Sequence, residues 1–387
     1  MNREIYLDNS ATTKPYQRVV DAVNDININV YGNPSSLHKK GIEAEKHIKR
    51  SKEIIAMTLG AKRDEVYFTS GGTEANNLAI LGYLAGNPRK GKHIITSKIE
   101  HPSVIEVFNY LSSQGYKIDF LDVDRYGVLN INGLKDKICK DTSLISIIYV
   151  NNETGTIEPI DEVAKIKNSI GKDVVIHVDA VQAYGKMNIN PKKYGIDIMT
   201  ISSHKIHGPK GVGALYINKD VRIKPILFGG GQESSIRSGT ENVSGIYGFG
   251  VAAQIAFESM EKNTKACYGL RELLLNKLLS DIGEVEIISP TNSSPYILNV
   301  SFKNIKSEVL LHHLEEKNIF VSTGAACSSK KNVHSHVLKA LGLSPDIIEG
   351  AIRFSFSSNN TVEDIEETIN ALKDIIPKIK IKGGGKR

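Results

Sequence analysis

Two residues that could act on a carbonyl cofactor stand directly after predicted strands. Lys205 follows the strand pattern of residues 200–203 and precedes a turn rich in glycine and proline, while Asp179 ends an apolar strand pattern. A lysine that forms a Schiff base must be held against a carbonyl with its amine partly desolvated. A buried aspartate needs a partner, which a protonated ring nitrogen would supply, although capping a following helix would also satisfy it.

A third feature, the turn from Ser70 to Thr73, could bind an anion. It joins the strand pattern of residues 66–69 to a predicted helix start, where free N–H groups and the helix dipole favour negative charge. It lacks the residues of a P-loop and the spacing of a dinucleotide loop, so an ordinary turn with a helix cap is the alternative. A lysine for an aldehyde, an acid for a ring nitrogen and an anion site together predict pyridoxal 5'-phosphate (PLP).

The chain also offers weaker candidates for contacts to a cofactor or a substrate. His101 precedes Pro102 at a predicted helix start and would either stack on a flat ring or lie on the surface. Arg237 and Arg353 are each able to clamp a carboxylate with two hydrogen bonds, although most arginines on a polar strand face are solvated.

Cys327 is the cysteine that the sequence favours as a nucleophile. Its neighbours are small residues, glycine and lysines, which favour a reactive thiolate, and a plain small loop residue is the alternative. Cys139 and Cys267 occur in helical patterns and are predicted to be structural. Three cysteines in a chain of this length, without a secretory signal, do not indicate a disulfide framework.

The elements that must position these residues follow an α/β pattern. Strand and helix patterns alternate from residue 66 to 217, which predicts a mostly parallel sheet sandwiched by helices in a large domain at 15–255. After the glycine run at 229–231, a long helical stretch at 244–279 leads to short strands. We therefore predict a small α+β domain from 1–14 and 256–377, carrying the cysteine loop, and a disordered basic tail at 378–387.

Composition limits the classes of function. The formal charge of +6 in 387 residues is mild, and no apolar run is long enough for a membrane helix. We therefore expect a cytoplasmic protein without a membrane or direct nucleic-acid partner, and no metal site is predicted.

Taken in order along the chain, the motifs resemble those of the cysteine desulfurases, PLP-dependent enzymes with the aspartate-aminotransferase fold. The matching motifs are YLDNSATT (6–13), GNPSSLH (32–38), TSGGTE (69–74), EH (100–101), VNNETG (150–155), VDAVQ (178–182), SSHK (202–205), RSGTEN (237–242) and the loop around Cys327. Ser10 and Gly72 stand where the family commonly has alanine. The cysteine loop is similar to the longer-loop branch that acts in iron–sulfur cluster assembly and tRNA thiolation.

The resemblance implies a role for each matching residue. It implies that Lys205 and Cys327 are catalytic together with His101, that Lys205 carries the cofactor as a Schiff base, and that Asp179 pairs with the ring nitrogen. It also implies that His101 stacks on the ring and that Gln182 forms a hydrogen bond to the phenolic oxygen. Asn152 and Arg353 are implied to fix the substrate carboxylate, and Asn152 is also implied to contact the cofactor. The residues implied to bind the phosphate are Gly72, Thr73, Ser202, His204 and the Thr240 of a second subunit.

The implied reaction converts L-cysteine to L-alanine and leaves a persulfide on Cys327. The resemblance further implies a homodimer and a sulfur acceptor, either an iron–sulfur scaffold protein or a tRNA-thiolation enzyme. A selenocysteine lyase, an aminotransferase of the same fold, or a catalytically inactive scaffold protein are the alternatives.

Overall fold

The computed structural model describes residues 3–170, 173–323 and 335–380. In these ranges the strands are β1 (Ile5–Tyr6), β2 (Val66–Thr69), β3 (His93–Ser97), β4 (Lys117–Leu121), β5 (Thr142–Ile148), β6 (Val175–Asp179), β7 (Ile198–Ser202), β8 (Gly213–Ile217), β9 (Val285–Ile287), β10 (Ile297–Phe302), β11 (Ile319–Phe320) and β12 (Ala351–Ser355).

The helices of the same ranges are α1 (Gln17–Asn29), α2 (Lys39–Leu59), α3 (Gly72–Asn77), α4 (Tyr83–Gly86), α5 (Pro102–Ser113), α6 (Ile131–Lys137), α7 (Ile160–Ile170), α8 (Val243–Glu258), α9 (Met260–Lys277), α10 (Ser307–Glu315), α11 (His336–Ala340), α12 (Pro345–Glu349) and α13 (Val362–Ile379). Short 3-10 turns lie at Arg63–Glu65, Ser203–Lys205 and Glu233–Ser235, and π-helical turns at Leu78–Gly82 and Leu278–Ile282.

A seven-stranded sheet forms the centre of the larger part of the chain. Its order is β2-β8-β7-β6-β5-β3-β4, and β8 runs antiparallel to the other six strands. Successive residues of β5 face opposite sides, as the pleat requires: Leu144 packs with α3 and α5, while Ile145 packs with α7 and α8. The predicted fold class, a mostly parallel sheet with helices on both faces, is confirmed.

The C-terminal part has a second hydrophobic core around an antiparallel sheet of order β12-β10-β9. Helices α9, α10 and α13 supply buried leucines and isoleucines to this core. The N-terminal strand β1 pairs in parallel with β11, and Asp8 bridges to Ser355 of β12. The N-terminal segment therefore joins this second sheet system, while the domain boundaries themselves stay a prediction.

Two details of the helices differ from the sequence pattern. The stretch predicted as one helix at 244–279 is divided at Ser259, which ends α8 and precedes α9. Helix α13 runs as far as Ile379, so the predicted tail at 378–387 starts within a helix. Residues 381–387 of that tail lie outside the described residues. None of the helices in the described ranges is long and apolar enough to cross a membrane.

Replacement of Leu310 by alanine is expected to destabilise the second core. Leu310 on α10 is fully buried, so its loss leaves a cavity and should lower the free energy of unfolding by about 2–5 kcal/mol. The neighbouring Val309 is 42% exposed, and Val309→Ala should change the free energy of unfolding by no more than about 0.5 kcal/mol. Chemical denaturation followed by far-UV circular dichroism measures both, and equal effects of the two substitutions would contradict this packing.

Candidate active site

Asp179 and Lys205 lie at the same edge of the central sheet. Asp179 is the last residue of β6, and Lys205 lies in the 3-10 turn that follows the adjacent strand β7. The Asp179 carboxylate is buried, with Oδ2 accepting from Asn76 Nδ2 at 2.8 Å and Oδ1 accepting from Val181 N at 3.0 Å. Two donors therefore set the orientation of this carboxylate at the carboxyl edge, where open parallel sheets bind ligands.

The Lys205 amine contacts the N-terminal segment. Its Nζ donates to the carbonyl oxygens of Ser10 at 2.5 Å and Ala11 at 2.7 Å. Gln182 Nε2 donates to the same Ser10 oxygen at 2.9 Å. The amine is thus held by the backbone that follows β1, while its side chain is only half-buried.

The amide of Gln182 is oriented by Lys186. Lys186 Nζ donates to Gln182 Oε1 at 2.9 Å, and burial lowers the pKa of Lys186 to about 8. Because an amine with its protons can only donate here, Oε1 must face Lys186 and the NH₂ group must face Ser10. The hydrogen bond that the resemblance implies between Gln182 and a phenolic oxygen stays a prediction.

His101 is linked to Asp179 through a short hydrogen-bond network. It caps α5, with Nδ1 accepting from Ser103 N at 3.1 Å and lying 2.8 Å from Ser103 Oγ. Asn76 Nδ2 bridges Ser103 Oγ at 2.9 Å and Asp179. Burial lowers the pKa of His101, and the charge of Lys205 lowers it further, against an opposing effect of Asp179. The ring is therefore neutral near pH 7, with its hydrogen on Nε2.

The end of β7 offers polar groups for an anion. Ser202 Oγ is buried and has no hydrogen-bond partner among the described residues. A Cβ on Gly72 would lie 3.0 Å from Val181 Cγ2 and 3.9 Å from Ser202 Cβ, so the first residue of α3 passes close to this hydroxyl. Thr73 is exposed on the same turn and lines one cavity with His101. An unpartnered hydroxyl beside a glycine turn that starts a helix fits the phosphate of PLP.

His204 lies beside Lys205 and is turned toward the N-terminal segment. Its Nδ1 lies 3.2 Å from Thr12 Oγ1, and burial lowers the pKa of His204 to about 4, with Lys205 contributing. The neutral ring is able to form a hydrogen bond to an anion but adds no charge there.

Arg353 occupies the opposite side of the site on β12. Its guanidinium is buried, with Nη1 donating to Asn152 O at 2.9 Å and Nη2 forming an ion pair with Asp8 Oδ1 at 2.8 Å. Its Nε has no partner in the described part of the chain. A substrate carboxylate would therefore have to share Arg353 with Asp8. Arg237, the other candidate clamp, is paired with Glu74 at 2.7 Å.

Two predicted residues have no geometry that tests their roles. Cys327 lies outside the described residues, in the gap between residues 323 and 335. Thr240 is exposed before α8, and its contact with a second subunit stays a prediction.

The described residues on both sides of the gap contact Arg353 or residues next to Asn152 and His101 in the chain. Ser322 pairs through its backbone with Arg353, at 2.7 Å and 3.2 Å. Beyond the gap, Ser335 Oγ donates to Glu153 Oε2 at 2.6 Å, and His336 Nε2 lies 2.9 Å from Glu100 O. A carbonyl only accepts, so His336 carries a hydrogen on Nε2.

Sequence reasoning missed the residues that orient the site. Asn76, Ser103, Lys186 and Asp8 each hold a predicted residue in position. Asn76 lies one helical turn after Thr73, so the helical period placed it near the same face, but nothing in that spacing specified Asp179 as its partner.

Comparison with known proteins agrees with the fold and with a PLP-dependent family. Residues 5–368 match the family Aminotransferase class-V. Cysteine desulfurase IscS of Dictyoglomus turgidum is 44% identical over 381 residues, which cover 98% of this chain and 96% of the relative. Cysteine desulfurase IscS of Methanosarcina thermophila is 42% identical over 380 residues, which cover 98% of this chain and 93% of the relative.

Solved structures show the same similarity. A NifS-like protein superposes with a TM-score of 0.92 at 38% identity, covering 97% of this chain and 100% of its own. SspA in complex with cysteine superposes with a TM-score of 0.81 at 33% identity, covering 91% of this chain and 98% of its own. The fold and the comparisons define a PLP-dependent enzyme. The chain belongs to the aminotransferase class-V family.

Loss of the Asn76 amide is expected to weaken PLP binding. Asn76→Ala leaves Asp179 Oδ2 and Ser103 Oγ without their shared donor, at a cost of about 1–3 kcal/mol. We expect roughly tenfold weaker PLP affinity in an absorbance titration of the apoprotein. Asn77→Ala is the control, because Asn77 Nδ2 donates to the Thr73 carbonyl at the surface, whereas Asn76 donates to the Asp179 carboxylate. Equal PLP affinity of Asn76→Ala and the wild type, with unchanged melting temperature, would refute the positioning role.

Stability is expected to depend on pH through Glu153. Burial raises the pKa of Glu153 from 4.5 to about 7, against opposing effects of Ser335 and Arg353. Between these values the folded chain binds the proton more tightly than the unfolded chain, so this residue lowers stability as pH rises through that window. As the pH rises from about 5 to about 8, the free energy of unfolding of Glu153→Gln should therefore increase by roughly 2–3 kcal/mol relative to that of the wild type. Urea denaturation measures this difference.

The exposed carboxylate of Glu261 on α9 provides the matched control for that experiment. Glu261→Gln removes one charge without altering a buried group. A stability difference between Glu153→Gln and the wild type that stays constant with pH would show that Glu153 is not held protonated by its surroundings.

Proposed function

We propose that this chain is a cysteine desulfurase, which converts L-cysteine to L-alanine and carries the released sulfur as a persulfide on Cys327. The observation that carries the proposal is that a lysine amine, a buried carboxylate and a neutral histidine meet at one sheet edge. The described residues that flank the Cys327 segment contact Arg353 and the chain neighbours of Asn152 and His101. The names of the relatives over nearly the full chain support the same activity.

PLP, when bound, supplies an electron-withdrawing ring that makes the bonds at the substrate Cα easier to break. In our proposal Lys205 would hold the cofactor, Asp179 would pair with its ring nitrogen and His101 would contact its ring. Asn76 and the Val181 N–H keep the Asp179 carboxylate in place. Gly72, Thr73, Ser202 and His204 would bind the phosphate.

Proton transfer at the substrate is assigned to Lys205 and His101. In its neutral form, Lys205 Nζ accepts the Cα proton, and the carbonyls of Ser10 and Ala11 keep the amine at the sheet edge. His101 Nε2 carries a hydrogen that is available to a substrate atom, because Nδ1 is occupied by the Ser103 N–H. Arg353 and Asn152 fix the substrate carboxylate in competition with Asp8.

The sulfur transfer is balanced without an external oxidant or reductant. The Cys327 thiolate attacks the substrate sulfur, so that an S–S bond forms while the substrate C–S bond breaks. The electron pair of the broken bond stays on the carbon skeleton, which takes up a proton and leaves as alanine. The persulfide on Cys327 then passes its outer sulfur to an acceptor thiol.

Partners and compartment form the wider part of the proposal. We place the enzyme in the cytoplasm as a homodimer, in which Thr240 of one subunit contacts the phosphate of the other. Exposed apolar side chains, among them Leu37 and Phe228, support an interface. The name IscS among the relatives favours an iron–sulfur scaffold as acceptor, with a tRNA-thiolation enzyme as the other candidate.

Replacement of Cys327 tests the proposed reaction. Cys327→Ser should keep the visible absorbance of bound PLP, since no cofactor contact is assigned to Cys327, and should lose more than about 99% of sulfide release from cysteine. Sulfide is measured in the presence of a reducing thiol, with alanine quantified in parallel. Sulfide release at the wild-type rate would refute the persulfide and favour a lyase that does not use this cysteine. A colourless wild-type protein that binds no added PLP would instead indicate an inactive scaffold.

A further inference from the structure

A cysteine, a histidine and an aspartate are in contact at a second place, away from the candidate active site. Cys139 Sγ lies 3.3 Å from His93 Nδ1, and His93 Nε2 lies 3.0 Å from Asp119 Oδ2. His93 is the first residue of β3, whereas Asp179 is the last residue of β6, and these strands run in the same direction. The cluster therefore lies at the opposite edge of the sheet, roughly 15 Å or more from the PLP site.

The proton position in this cluster follows from the aspartate. An ionised carboxylate only accepts, so His93 Nε2 carries a hydrogen and Nδ1 is left as an acceptor facing the sulfur. Burial lowers the pKa of His93, against the opposing effect of Asp119, so the ring is a neutral base near pH 7. Thr142 Oγ1 accepts from Cys139 N at 2.9 Å and lies 2.8 Å from Nδ1, so the Thr142 hydroxyl hydrogen competes with the thiol hydrogen for this acceptor.

Cys139 is partly exposed, and its thiol is easier to ionise than that of an ordinary cysteine. Cys139 is only partly buried, in the turn after α6, and not in the helix that the sequence pattern predicted. Burial raises the pKa of its thiol, and so does the Asp141 carboxylate. Hydrogen bonds from Thr142 and the Asp141 backbone, together with the charge of Lys117, lower the pKa by more, so the net shift is downward. Cys267 is fully buried, and burial raises the pKa of its thiol to about 12.

The arrangement does not suit a metal ion. Cys139 and Asp119 contact opposite nitrogens of the His93 ring, so the three side chains do not converge on one point. Consistently, no group of three His, Cys, Asp or Glu side chains within residues 3–170, 173–323 and 335–380 is placed to hold a metal. A nucleophile, a base and a group that orients the base are the parts of an activated thiol.

We propose that Cys139 is a second reactive thiol, activated by His93 and Asp119, that undergoes exchange with small-molecule disulfides. His93 Nδ1 takes the thiol proton, and Sγ attacks one sulfur of the disulfide. The S–S bond of the small molecule breaks, and a mixed disulfide forms on Cys139. The other half leaves as a thiolate, which takes the proton from His93, so the step needs no other oxidant. The site is independent of the cysteine desulfurase reaction.

The reaction of the PLP-loaded enzyme with Ellman's disulfide tests this proposal. The experiment uses Cys327→Ser as the background, so that Cys139 and Cys267 are the remaining thiols. Peptide mass spectrometry identifies the modified residue, and the released aromatic thiolate gives the rate. We expect Cys139 to react while Cys267 stays unmodified, and His93→Gln and Asp119→Asn to slow the reaction, by about tenfold near pH 7 for His93→Gln.

The pH profile separates activation from simple exposure. In the Cys327→Ser protein, the rate of reaction at Cys139 should reach its plateau at a lower pH than it does when His93→Gln is added. The added substitution removes the base from the thiol. Asp119→Asn keeps the proposal testable if the buried His93 cannot be replaced without unfolding, which circular dichroism reports. Equal rates and pH profiles with and without Asp119→Asn, or modification of Cys267 as fast as Cys139, would overturn the proposal.

Discussion

The candidate active site depends on the contact between the Lys205 amine and the carbonyls of Ser10 and Ala11. These carbonyls belong to a segment that starts in β1, which pairs with the second sheet system. The same segment carries Asp8, whose ion pair with Arg353 ties it to β12. A change in how the second core packs on the central sheet would therefore move the acceptors of the lysine amine, so this short stretch of backbone couples the lysine to the second core.

Proton positions across the site are set by partners that can only donate or only accept. The Ser103 N–H leaves the hydrogen of His101 on Nε2, and the Lys186 amine turns the Gln182 NH₂ toward Ser10. A single hydrogen-bonding partner thus decides which atom of an ambiguous side chain faces a ligand. Buried polar groups are costly when unpaired, and Ser202 Oγ, which has no partner among the described residues, would gain one from the proposed phosphate.

Two cysteines of one chain show how strongly surroundings control a thiol. Cys267 is enclosed by the second core, where burial opposes ionisation. Cys139 differs because hydrogen-bond donors and a neutral imidazole surround a partly exposed sulfur. Position in the fold, and not residue type, separates a packing residue from a nucleophile.

The alternation of apolar strands and helices was enough to predict the parallel sheet, because the periods of the two elements differ and parallel strands need crossovers. It also placed Asp179 and Lys205 at one edge, and the motifs specified the cofactor that the family shares. The sequence did not indicate Asn76 as the partner of Asp179, 103 positions away, or His93 beside Cys139, 46 positions away. Only the tertiary structure decided those contacts, since they join side chains from separate elements and no local spacing encodes which elements become neighbours.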